Sequence, residues 1–172
     1  TVSAPPAVAK PTLAAGSVTG QSGTTVNLPI TFNPSTAAVA SLQFNLTVPA
    51  GLTAGTVAAG PIVTAAGKSI TANLSGNVLT VIVFGLNQTA IGAGSLATVP
   101  LTIAAGTAAG SLSLPISGAV FSNAAGTAIA GGTNTNGTVT VTAPAGTPVL
   151  TSITLTPSAA SIVSNGTQQF TA

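Results

Sequence analysis

Apolar residues recur at every second position over long stretches of this chain, and that period limits its fold more than any other feature. Val26, Leu28, Ile30 and Phe32 alternate with Asn27, Pro29 and Thr31; Leu42, Phe44, Leu46 and Val48 alternate with Gln43, Asn45 and Thr47. Successive side chains of an extended strand point to opposite faces, so each run predicts a strand with one face in a core. Ile70, Ala72 and Leu74 lead through Ser75-Gly76-Asn77 into Leu79, Val81 and Val83, which reads as a β-hairpin. Its second arm, residues 78–84, is largely apolar on both faces and is expected at the centre of a sheet. Ala97, Val99, Leu101 and Ile103 predict a further strand, Leu112, Leu114 and Ile116 the next, and Val139 and Val141 another after a loop at 131–137.

These runs amount to about eight or nine strands between residues 12 and 142, punctuated by Gly, Asn and Pro, and predict an all-β fold: a two-sheet β-sandwich or jelly roll. Helix is disfavoured, because 20 glycines and 12 prolines are distributed over 172 residues and interrupt even the alanine-rich pieces such as 104–110. Residues 143–148, with Pro144 and Pro148, read as a stiff linker. Beyond it, residues 149–157 alternate again, and Ser164-Asn165-Gly166 signals a turn before another strand. So short a tail cannot bury a core of its own. The expected organisation is an extended segment at 1–11, the sandwich at 12–142, the linker at 143–148, and a partial Ig-like segment or donated strands at 149–172.

The chain carries two Lys and no Asp, Glu, His or Cys, so that 1% of its residues are charged, against about 25% in ordinary soluble domains. General acid–base catalysis needs a group that exchanges protons near working pH, and none is present apart from Lys10 and Lys68, both expected as solvated surface groups. Zinc would find neither thiolate nor imidazole, and calcium no carboxylate side chain, so no metal and no cofactor is expected. The glycine-containing stretches at 51–60 and 131–132 are read as turns that open no helix, which argues against a phosphate-binding loop. A net charge of +2 is too small for nucleic acid. No apolar run reaches the length of a membrane span, and Thr1-Val2-Ser3-Ala4-Pro5-Pro6 lacks the features of a signal peptide. The sequons beginning at Asn45, Asn73, Asn87, Asn136 and Asn165 are no more than a Thr- and Ser-rich chain produces by chance, and Asn136-Gly137 and Asn165-Gly166 are expected as turns.

Three runs of the chain carry a resemblance. Residues 25–32, residues 39–48 followed by Gly51-Leu52, and residues 81–86 with 94–99 after them resemble the opening and middle strands of bacterial cohesin-type modules, over roughly residues 12–142. The resemblance implies a jelly-roll sandwich of about nine strands and non-catalytic protein binding. Cellulosomal cohesins recognise calcium-loaded dockerin modules through one sheet face, often with acidic residues; this chain has none, and no contact residue is carried over. Residues 150–157 and 166–172 resemble the first strands of the bacterial group 2 Ig-like domain, which implies a secreted or cell-surface protein of stacked modules.

The missing charge also bears on association. Sheet edges are ordinarily protected from edge-to-edge pairing by Lys, Glu or inward-pointing charges, which this chain almost lacks. Other copies of the chain are therefore expected to cap its edges by β-strand addition, building a filament or surface layer. The candidate strand-exchange residues are Ala7, Val8, Leu13, Val149, Leu150, Ile153, Leu155, Ile162 and Val163. The alternatives are a receptor-like module for a dockerin-type or other partner, and a carbohydrate adhesin, which the absence of Trp and Tyr disfavours.

Overall fold

The computed structural model describes residues 9–143, 164–167 and 169. Among the described residues, thirteen strands and one short helix follow one another. The first half holds β1 (Thr12–Ala15), β2 (Ser17–Gln21), β3 (Thr25–Asn33), β4 (Ser41–Thr47), β5 (Leu52–Ala54), β6 (Ala58–Ala59) and α1 (Pro61–Ala65). The second holds β7 (Ser69–Ser75), β8 (Val78–Phe84), β9 (Gly94–Ile103), β10 (Gly110–Leu114), β11 (Ile116–Ser122), β12 (Ala128–Ile129) and β13 (Gly137–Thr142).

One layer of the sandwich is the ladder β12-β11-β4-β8-β7. Facing it are the ladder β1-β3-β9-β5, with β6 also on β9, and the ladder β10-β13-β2. The last two meet at Gly16, where the chain stops pairing antiparallel with β3 and begins pairing parallel with β13. The period-two runs explain the layers directly. Leu28, Ile30 and Phe32 of β3 and Leu42, Phe44 and Leu46 of β4 are buried, while the residues between them face outward. Leu79, Val81 and Val83 of β8 and Val99, Leu101 and Ile103 of β9 complete the same apolar cluster from the two sides. At one end of it the rings of Phe32 and Phe121 stack with centroids 5.8 Å apart.

Where the structure departs from expectation, the backbone supplies the reason. Leu112, Leu114 and Ile116 do not form one strand: β10 pairs with β13 and β11 with β4, so the chain crosses between layers at Pro115. Proline has no N–H to continue a ladder, and the Pro115 carbonyl instead accepts the Thr47 N–H at 3.0 Å. Leu114 and Ile116 both stay buried because each enters the core from its own layer. A helix does form, and the 51–60 stretch does open it: Gly60 is the N-cap of α1 and Pro61 lies in its first turn, where a missing N–H is harmless. Only glycine fits at 60, since any Cβ would strike the backbone of Ser95. Asn136-Gly137 is not a turn. Gly137 is buried at the start of β13, and the Asn136 Oδ1 accepts the Ile116 N–H at 3.0 Å, holding the start of β11. Asn165 adopts the expected turn conformation, at φ 67°.

Phe44 is fully buried at the middle of β4. Truncation to alanine there is expected to destabilise the fold by about 3–5 kcal/mol, read as a lower urea midpoint at unchanged m-value; a loss under about 1 kcal/mol would mean that the two layers are not packed through this ring.

Candidate functional site

The outer surface of the β11-β4-β8-β7 ladder is a flat, uncharged face laid out in rows. Across the strands, Ser117, Asn45, Thr80 and Asn73 stand side by side, and the next outward row is Val120, Gln43, Ile82 and Thr71. The Thr80 hydroxyl donates to Asn45 Oδ1 at 2.9 Å, fixing the amide in the first row. Val120 and Ile82 make the second row partly apolar, and Phe84 extends the apolar surface at the β8 end. Ser41, Gln43, Ile82, Phe84, Val120 and Ser122 border a depression of about 260 Å³. Phe84 is 47% exposed and Val120 51%, two of only four large hydrophobics exposed among the described residues. A third, Leu86, stands fully out of the surface two residues beyond Phe84.

Residues 78–84, apolar on both faces, are expected at the centre of a sheet. β8 is indeed flanked by β4 and β7, and among the described residues nothing covers its outer face, so Ile82 and Phe84 border solvent. Val120 reaches this face by an irregularity that alternation alone does not disclose. The β11–β4 register slips by one residue between Ser117 and Val120, and a one-residue slip reverses which side chains point inward. Unbroken pairing from Ser117 would send Val120 into the core; the bulge turns it out and drops Phe121 in its place, where it is buried. Gly118 makes the bulge at φ 58°, a left-handed conformation, with its Cα side against the Asn45 amide. The signal in the sequence was the glycine at 118, which period-two reading passes over.

Lys68 is not a solvated surface group. It is 8% exposed, and its Nζ donates to the Asn87 carbonyl at 2.7 Å. The Asn87 side chain donates in turn to the carbonyls of Ala66, at 3.1 Å, and Gly67, at 2.8 Å, and its Oδ1 accepts the Thr89 N–H at 3.1 Å. This network ties the loop after β8 to the corner between α1 and β7, so the buried lysine is a strut for the loop that carries Leu86. It also gives Asn87, a sequon residue, a structural role, as the bond from Thr80 does for Asn45.

Of the candidate strand-exchange residues, Leu13 lies in β1, 1% exposed and paired with Phe32. Its N–H is taken by Asn134 Oδ1 at 2.8 Å and its carbonyl by the Thr135 N–H at 2.9 Å, so its own chain occupies both sides of it. Ala7, Val8, Val149, Leu150, Ile153, Leu155, Ile162 and Val163 lie outside the described residues. Among the described residues no helix is long and apolar enough to cross a membrane.

A family model for the cohesin domain matches residues 11–141. The chain belongs to the cohesin family. Cohesins are non-catalytic protein-binding modules, so this one is not an enzyme. Solved cohesins share its jelly-roll sandwich. A non-cellulosomal cohesin from the hyperthermophilic archaeon Archaeoglobus fulgidus superposes with a TM-score of 0.67 at 24% identity, covering 78% of this chain and 92% of that one. The seventh ScaB type I cohesin from Pseudobacteroides cellulosolvens gives 0.69 at 22% identity, covering 81% and 97%. The sixth cohesin of scaffoldin B from Acetivibrio cellulolyticus, solved in complex with a dockerin, gives 0.67 at 25% identity, covering 77% and 99%. No curated protein sequence matches significantly.

A β-branched side chain at residue 118 of this cohesin would have to adopt a left-handed backbone and press on Asn45. Gly118→Val is expected to lower stability by about 1–2 kcal/mol, measured by thermal unfolding; an unchanged midpoint would show that the bulge does not depend on the glycine.

Proposed function

We propose that this cohesin is a secreted or cell-surface module that docks a dockerin-type protein on the outer face of the β11-β4-β8-β7 ladder. The observation that carries the reading is the apolar depression of Ile82, Phe84 and Val120 on an otherwise amide and hydroxyl face. Contiguous apolar surface rimmed by polar groups is the form that protein docking sites take. Solved relatives with this fold include cohesins in complex with dockerins.

The absent charge defines the chemistry of such a complex. No carboxylate side chain exists to receive a Lys or Arg from the partner, so the energy must come from burying apolar area and from hydrogen bonds to Gln43, Asn45, Thr80 and Asn73. A partner suited to this face presents aliphatic and hydroxyl or amide side chains at its centre.

The test is calorimetric titration of the full chain with a panel of calcium-loaded dockerins. At least one is expected to bind, with a Kd that changes less than about twofold between ~0.05 and ~0.5 M NaCl because no exposed ion pair is there to be screened. Val120→Lys, at an exposed position, is expected to leave the fold intact and weaken binding by about 10- to 100-fold. Undiminished binding by that variant would place the contact on another face.

A further inference from the structure

Among the described residues, β7 is the longest strand at the edge of a ladder, its seven residues exceeding the five of β2 and β10. β5 and β12 are three and two residues long, β10 has five and ends against Pro115, and the outer side of β1 is taken by Thr135. β7 runs for seven residues, Ser69–Ser75, in unbroken register with β8 on one side only. Among the described residues its backbone makes no hydrogen bond outside that pairing. Every second residue of β7 therefore turns its N–H and C=O outward, and no strand among the described residues receives them. No charge, proline or bulge interrupts it, and those are the devices by which edges are ordinarily blunted.

Beside this edge the two layers fail to close. Ile70, Ala72 and Leu74 point toward the facing layer, but that layer ends at the short β5 and β6. A groove of about 460 Å³ remains between them and the Ala54–Val57 segment, floored by Leu79. It continues past Leu74, which is 41% exposed, to Val48, Pro49 and Leu52. An extended segment laid against β7 would satisfy the backbone and place alternate side chains in the groove.

We infer that the free edge of β7 accepts residues 149–155 from a second copy of this chain. Val149, Thr151, Ile153 and Leu155 share one face of an extended run, seven residues matching the seven of β7, and neither segment carries a charge that would oppose the pairing. The connection from β13 selects the second copy over the chain's own tail. Thr142 pairs with Gln21 of β2, from which the layer runs through β3 and β9 to β5. That is about four strand spacings, ~19 Å, and the second layer lies ~10 Å further. The seven Cα steps from Thr142 to Val149 extend to about 25 Å at most, short of the ~29 Å path round the two layers, and the direct line passes through the core. A copy's own residues 149–155 thus fall short of its groove, while a neighbour's reach it. Thr142, from which the donor segment leaves, and the acceptor edge of β7 lie at opposite lateral sides of one sandwich, so the contact is head-to-tail and propagates. This contact is independent of the docking face proposed above.

The experiment is complementation. The full chain is expected to form linear polymers at high concentration, seen by light scattering and electron microscopy. Leu74→Lys, which charges the acceptor groove, and Ile153→Lys, which charges the donor, are each expected to stay monomeric. Mixed in equal amounts they are expected to form a discrete heterodimer, one supplying the intact groove and the other the intact donor. If Leu74→Lys does not fold, a synthetic peptide of residues 149–157 replaces it, and is expected to protect the β7 amides of the Ile153→Lys chain from hydrogen exchange. A full chain that stays monomeric, polymers that persist in either variant, or a peptide that leaves β7 exchanging freely would overturn the inference. So would β7 amides already protected in the monomer, which would show that the chain fills its own edge.

Discussion

Two sheet faces interlocked through one apolar core determine the rest of this cohesin. The inward side chains of β3 and β9 on one layer and of β4 and β8 on the other form a single buried cluster, and burial of such residues is the dominant favourable term in a chain with nothing else to offer. Ion pairing is closed to the side chains, since the sequence contains no acidic residue. Amides take over the tasks that charges often perform at the ends of strands. Asn134 holds β1, Asn136 holds the start of β11, and Asn123 closes the turn before β12 through the N–H groups of Ala125 and Thr127. Among the described residues no buried side-chain nitrogen or oxygen lacks a partner. The single buried cation follows the same rule, neutralised by no counter-ion but bonded to a backbone carbonyl.

Alternation made much of this legible. The strands carrying Val26 to Phe32, Leu42 to Leu46, the hairpin of β7 and β8, the run from Ala97 to Ile103 and Val139 with Val141 are where period-two spacing puts them, and the cohesin resemblance rested on those runs. What escaped were features that one residue decides against the local pattern. Pro115 diverts an apparently continuous apolar alternation into two layers, Gly118 reverses the facing of Val120 and Phe121, and Gly60 lets α1 start against β9. The fate of Lys68 was hidden for another reason: its partner, the Asn87 carbonyl, is 19 residues away and is brought near only by the hairpin.

Those exceptions shape the proposed docking face. Without the bulge at Gly118, Val120 would be core and the depression beside Ile82 and Phe84 would lose one wall. Without the strut from Lys68 to Asn87, the loop that presents Leu86 would lack its anchor. The same economy of charge has opposite effects on two surfaces: on the sheet face it leaves an apolar and amide site suited to an uncharged partner, and at β7 it leaves an edge with no device against strand addition.

The most direct test of the sheet-face site is backbone amide NMR of the chain during titration with a calcium-loaded dockerin that binds it. Shifts concentrated in β4, β8 and β11, with the largest at Gln43, Ile82 and Val120, are the predicted result. Shifts confined to β3 and β9 on the opposite layer, with those three amides unmoved, would contradict it.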